Sequence, residues 1–151
     1  MHILIIGIAL ALILMLALRS LGRRSEVAKI DQAPLSPYER DISASEFRSM
    51  VLEHSHTTPV LVDFYAHWCG PCHAFSPVLS EMAKDCQGSF LLAKLDFDKS
   101  QSLAAEYAVD ALPAIALFKD GKKIDGFSGS RLPHSLRYFL ATNGIAVPND
   151  R

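Results

Sequence analysis

The stretch Val60-Leu-Val-Asp-Phe-Tyr-Ala-His-Trp-Cys69-Gly-Pro-Cys72 constrains this chain more than any other. Branched and aromatic residues from Val60 to Tyr65 read as a buried strand. Pro71 suits the first turn of a helix, where its missing amide donor would be unpaired anyway. The CxxC pair therefore falls at a strand-to-helix turn, and two thiols at that spacing and place read as a dithiol/disulfide redox centre. The chain has 3 cysteines in 151 residues, too few for a secreted disulfide framework. With two of them in one motif, cysteine here is chemistry and not scaffolding.

The rest of the chain carries helical and strand periods in turn. Ser43-Ala-Ser-Glu46 is a capping-box signature that predicts a helix, with Phe47, Met50, Val51 and His54 at helical spacing. Pro59 ends the turn after it. Beyond Pro71, the residues Phe75, Val78, Leu79, Met82, Ala83 and Cys86 give one long apolar helix face. Pro77 inside that helix removes a bond to the carbonyl of His73 and is the expected kink. Phe90 to Leu95 reads as a strand, Ser100 to Tyr107 as a helix and Ala114 to Phe118 as a strand. Lys119-Asp-Gly-Lys122 is a turn before a last strand, Lys123 to Phe127. Leu132, Leu136, Phe139 and Leu140 mark a final helix closed by Asn143-Gly144. Strands alternating with helices and then a hairpin define an α/β domain with a mixed central sheet flanked by helices.

The N-terminus is of a different kind. The run from Ile3 to Leu18 is apolar throughout, close to the shortest helix that spans a ~30 Å hydrocarbon layer, and Leu21 extends it. A cleaved signal peptide is the main competing reading, and a buried helix of a soluble chain is the other. The signal peptide wants a basic leader, yet only Met1 and His2 precede the run, and Arg19 stands where cleavage wants a small residue. The expected organisation is a single transmembrane anchor over residues 1–22, a polar, proline-punctuated linker over 23–37, a domain over 38–144 and a tail over 145–151. Arg19, Arg23, Arg24 and Lys29 all lie C-terminal to the run, so the positive-inside bias turns the domain toward the cytoplasm. A formal net charge of −1 gives no reason to expect a nucleic-acid partner.

Pro77, Lys94, Pro113, Gly121 and Gly129 lie downstream of the CxxC stretch at further distinctive places. Together with it they resemble the thioredoxin family, from about Tyr38 to Asn143. The resemblance implies a thioredoxin-like fold and a Gly70-Pro71 dipeptide of the reducing kind. Cys69, at the helix start where amides and the dipole favour an anion, is the expected nucleophile. Cys72, one turn inside, is the expected resolving thiol, and the more buried of the two. Asp63 is a lone acid in an apolar strand, costly to bury unless it works or is paired. By resemblance it sits behind the cysteines and moves the proton of the resolving thiol, with Lys94 near it. Pro113 is by resemblance cis and faces the pair, with Leu112 before it offering backbone hydrogen bonds to an extended substrate. Trp68, Gly70, Pro71 and Gly129 complete the expected docking surface. Leu112 and Ala114 depart from the β-branched residue and threonine usual around that proline, and Tyr65 stands where tryptophan is common. These departures put substrate preference in doubt.

Simpler readings compete at several of these positions. The cysteines could form half of a zinc site, or, with His73, the CxxCH pattern of haem attachment. Asp63 could tip into a solvent pocket or pair with a lysine, Trp68 could be core, and Gly129 could be a plain turn. His73 is read as a surface residue lending positive charge near the thiols, Cys86 as an inert core thiol, and His54, His56 and His134 as surface or packing residues. The expected activity is reduction of protein disulfides by a membrane-tethered thiol-disulfide oxidoreductase, without organic cofactor or metal, recharged by an upstream electron donor. The expected location is a bacterial inner membrane. The alternatives are a periplasmic reductant or isomerase for cytochrome or disulfide maturation, and a chaperone-like peptide-binding module without turnover.

Overall fold

A computed structural model of the protein describes residues 36–148, together with Met15. Apart from Met15, the anchor expected over residues 1–22 lies outside the described residues, as do nearly all of the linker and the end of the tail. Among the described residues no helix is long and apolar enough to cross a membrane. The chain separates into two units, Met1–Leu35 and Ser36–Arg151.

At the centre of the second unit is a five-stranded sheet in the order β1-β3-β2-β4-β5. The strands are β1 (Glu39–Ile42), β2 (Val60–Tyr65), β3 (Leu91–Asp96), β4 (Ala114–Lys119) and β5 (Lys122–Ser128). β3 runs parallel to both β1 and β2, whereas β4 is antiparallel to β2 and β5 to β4, so the sheet is mixed as expected. The helices are α1 (Gly70–Asp85), α2 (Gln101–Glu106) and α3 (Pro133–Thr142). Strand alternation divides the core. Leu61, Leu92, Ile115 and Leu117 pack on one face with Phe75 and Leu79 of α1 and Leu136 and Leu140 of α3. Val62, Phe64, Leu95 and Phe118 pack on the other with Phe47, Val51 and Ala104.

Two elements differ from expectation. The helix after Ser43 is not a regular α-helix. Glu46 accepts the Ser43 amide at 2.9 Å as a capping box requires, but the segment runs as a 3-10 turn (Ala44–Glu46), a π-helical stretch (Arg48–Glu53) and a second 3-10 turn (His54–His56). Hydroxyls here bond carbonyls three residues back, Ser49 to Glu46 and Ser55 to Leu52, and so compete with the regular ladder. Phe47 and Val51 are still buried, so the apolar face survives the irregularity. The second difference is β1, which the sequence pattern does not announce. Its four residues are Glu39, Arg40, Asp41 and Ile42, and only Ile42 is apolar.

The hairpin between β4 and β5 turns through Asp120 and Gly121, both at positive φ (53° and 77°), the conformation that an Asp-Gly pair adopts most readily.

Candidate active site

β2 ends at Tyr65, and the chain turns through Ala66, His67 and Trp68 into α1. Cys69 is the residue that caps α1, with extended backbone at φ −84° and ψ 100°. Its sulfur accepts the Cys72 amide at 3.2 Å. A helix N-terminus leaves its first amides without intrahelical acceptors, and here one of them is aimed at sulfur. A donor so placed, with the helix dipole, favours negative charge at that position. Pro71 stands in the first turn. In this structure Cys69 and Cys72 are joined as a disulfide, with their Cα atoms 5.3 Å apart.

The expectation that Cys72 is the more buried of the two is not met, since both residues are 4% exposed. In the disulfide the two sulfurs share one pocket with Ala66, under the partly buried Tyr65 and Leu112, so burial does not separate their roles. The two differ in position: the Cys69 sulfur receives a helix-terminal amide, and Cys72 lies inside the helix.

Asp63 is 3% exposed, in the middle of β2. Its Oδ1 has no hydrogen-bond partner among the described residues. Desolvation pushes its carboxyl up to about 7, opposed by the positive charge of Lys94. The solvent-pocket reading of Asp63 therefore does not hold. Lys94 is its register partner on β3, but the ammonium lies 3.6 Å from Glu39 and donates to the Ser80 hydroxyl at 3.2 Å. The acid that Lys94 pairs with is thus one that sequence reasoning missed. Its only signal was an acid two residues before Asp41 in a segment not recognised as a strand.

The peptide bond between Leu112 and Pro113 is cis. Leu112 packs against the disulfide cluster, which brings the Pro113 segment to the cysteines. Gly129 donates its amide to the Pro113 carbonyl at 2.8 Å and has φ +84°. Open space surrounds the positions where a side chain would stand on Gly70 and Gly129. Trp68 is 69% exposed, so it is not core, and its indole donates to Asp98 at 2.9 Å. Ser130 reaches from beyond β5 to the Pro71 carbonyl at 3.3 Å. Of the residues expected of a docking surface, Trp68, Gly70 and Pro71 flank the cysteines along the chain, Leu112 packs against them, Pro113 is buried, and Gly129 is tied to Pro113.

The remaining candidates separate cleanly. Cys86 is a buried free thiol whose pKa is raised mainly by that burial. His73 is exposed, and its ring contacts the His67 carbonyl at 2.7 Å. His56 and His134 are exposed and His54 is half-buried. Among the described residues no group of three or more His, Cys, Asp or Glu is arranged so that it could hold a metal ion.

A disulfide at the start of a helix, a buried acid on the strand that leads into it and a proline segment packed against the pair define a dithiol-disulfide exchange site on a mixed α/β sheet. The sequence model of the thioredoxin family matches residues 40–142, and the chain belongs to that family, whose members are thiol-disulfide oxidoreductases. It is similar to a probable thioredoxin-2 of Caenorhabditis elegans, 47% identical over 87 residues, which cover 58% of this chain and 59% of that protein. It is similar also to a thioredoxin of Rickettsia felis, 36% identical over 96 residues, covering 64% of this chain and 90% of that one. A chloroplastic thioredoxin Y2 of Arabidopsis thaliana is 49% identical over 72 residues, 48% of this chain and 43% of its own length.

Proposed function

We propose that the chain is a membrane-tethered reductase of protein disulfides working through the Cys69/Cys72 dithiol. The observation that carries this reading is the Cys69 sulfur held against a helix-terminal amide, after a strand that carries a buried acid with a pKa of about 7. In the reduced chain the Cys69 thiolate attacks one sulfur of a substrate disulfide. A mixed disulfide forms and the other substrate sulfur leaves as a thiolate. Asp63 then takes the proton of the Cys72 thiol, and the Cys72 sulfur attacks Cys69. The second substrate thiolate leaves and the Cys69–Cys72 disulfide forms, so two electrons have passed to the substrate. A pKa near working pH suits Asp63 to accept that proton and later release it. An upstream electron donor returns the pair to the dithiol.

The docking partner is an extended protein segment, held by backbone hydrogen bonds beside Leu112 and Pro113 and by contact with Trp68. The apolar run Ile3 to Leu18 is the tether, and the basic residues after it favour a domain facing the cytoplasm from a bacterial inner membrane.

Insulin reduction by the full-length chain tests the activity. Cys72→Ser should accumulate mixed disulfides, Cys69→Ser should abolish exchange and Cys86→Ala should leave it intact. Reductase activity retained by Cys69→Ser would refute the assignment, and binding without turnover by the unmodified chain would favour a chaperone-like module.

A further inference from the structure

Lys94 lies between two acids on opposite flanking strands. The order β1-β3-β2 places Glu39 and Asp63 on either side of it. Glu39 pairs in register with Leu92, two residues before Lys94, and Asp63 with Lys94 itself, so all three side chains share the face covered by α1. The ammonium is 3.6 Å from Glu39 Oε2, and Ser80 of α1 accepts from it at 3.2 Å. Asp63 stays outside ion-pair range, and its Oδ1 and Glu39 Oε2 both lack a hydrogen-bond partner among the described residues, so Lys94 meets Glu39 by charge and not by a hydrogen bond.

Glu39 is only 7% exposed although it stands on an edge strand. A buried carboxylate is costly unless a cation meets it. Among the described residues its ion-pair partner is Lys94. We propose that Glu39 is a positioning residue for Lys94: it holds the ammonium toward the β1 side of β3, so that Asp63 remains a base and not the partner of a salt bridge. The inference rests on Asp63 being the proton acceptor of the resolving step.

Electrostatics supports the direction. An ammonium moved against a carboxylate lowers that acid's pKa, and a nearby negative charge raises it. Loss of Glu39 acts through both routes with the same sign, because a negative charge disappears and the cation is released toward Asp63. The other titratable groups around the trio are Asp41 from β1, in register with Lys94 and exposed, Tyr65 from β2 and Asp96 from β3. Tyr65 has a pKa raised by burial and then by Asp41, Asp96 and Asp63. Asp96 is engaged by Lys99 at 3.3 Å and His67 at 3.6 Å. α1 presents the neutral Ser80. Among the described residues only Glu39 reaches Lys94 within ion-pair distance.

The test is the titration midpoint of the Asp63 carboxyl carbon by NMR, in the disulfide form of the full-length chain, where Cys69 and Cys72 do not titrate. Glu39→Gln should lower the midpoint by about one pH unit, the low end of what an opposite charge imposes. Lys94→Gln should raise it, and in that background Glu39→Gln should lower it by clearly less than in the unchanged chain, since only the loss of the bare charge remains. An unchanged or raised midpoint in Glu39→Gln overturns the proposal. A fall of equal size with and without Lys94 also overturns it, since Glu39 would then act as a bare charge and not by holding the lysine. Should Glu39→Gln not fold, Glu39→Asp keeps the charge but shortens its reach. The midpoint should fall there too, and no change counts against the proposal. Turnover of Asp63→Asn reports separately on the base itself, so the two ideas fail independently.

Discussion

Gly129 donates its amide to the carbonyl of Pro113 across 2.8 Å, tying the end of β5 to the residue that leads into β4. The bond leaves the Gly129 α-carbon at φ +84° beside open space. Gly129→Val should cost about 1 kcal/mol from the left-handed backbone, and its branched side chain should stand where substrate backbone would approach. The expected result is slower reduction of insulin with little change toward a small aromatic disulfide. Equal slowing of both would assign the effect to the thiols or the fold.

Asp63 carries the clearest pH dependence. Its carboxyl is raised from 3.8 to about 7, so between those values the folded chain holds a proton that the unfolded chain has released. Stability therefore falls as pH rises from about 4 to about 7, and the full cost is present above that window. Asp63→Asn should stabilise the disulfide form at pH 8 by up to about 4 kcal/mol, the free-energy equivalent of the shift, and by far less at pH 4. Urea unfolding at the two pH values measures the difference, and an equal gain at both would exclude the charge as its cause.

The same substitution separates stability from catalysis. Asp63→Asn should slow disulfide reduction about 10- to 100-fold, the low end of general-base catalysis and below. Cys69 should still react with iodoacetamide in the reduced chain. Unchanged turnover across neutral pH would leave Asp63 a structural acid.

Gly126 lies in β5 beside the irregular register at Leu117 and Phe118. A Cβ there would stand 2.5 Å from the Ile115 carbonyl oxygen, which as backbone cannot swing away. Gly126→Ala should cost about 1–3 kcal/mol, as overpacking does, and lower the melting temperature by several degrees without moving the Asp63 titration. A melting temperature equal to that of the unchanged chain would mean that the strand pair parts easily.

Topology is tested by a reporter fused after Arg151. Fluorescence from a protein that matures only in the cytoplasm is the expected outcome, given Arg19, Arg23, Arg24 and Lys29 after the apolar run. Alkaline phosphatase activity, which needs export, would instead support a periplasmic reductant.

Much of the site is legible in the sequence because its chemistry is local. Pro71 marks a helix start and Cys69 stands just before that turn, so the sulfur's place at the helix terminus comes from neighbours along the chain. The hairpin at Asp120-Gly121 is legible for the same reason. The Ser43 helix is legible only in part: its cap and its apolar residues show in the sequence, whereas the competing hydroxyl bonds of Ser49 and Ser55 do not. β1 escapes a sequence reading because a strand with only Ile42 apolar has no period to detect.

The sequence by itself determined the alternation of strands and helices, the redox pair and the lone acid in β2, since spacing, capping and periodicity act over a few residues. Only the tertiary structure decided which acid Lys94 meets. That choice depends on β1 lying beside β3, and strand order is set by how apolar faces pack across the whole domain. The equal burial of Cys69 and Cys72 was decided in the same way, by Leu112 arriving from a segment distant along the chain.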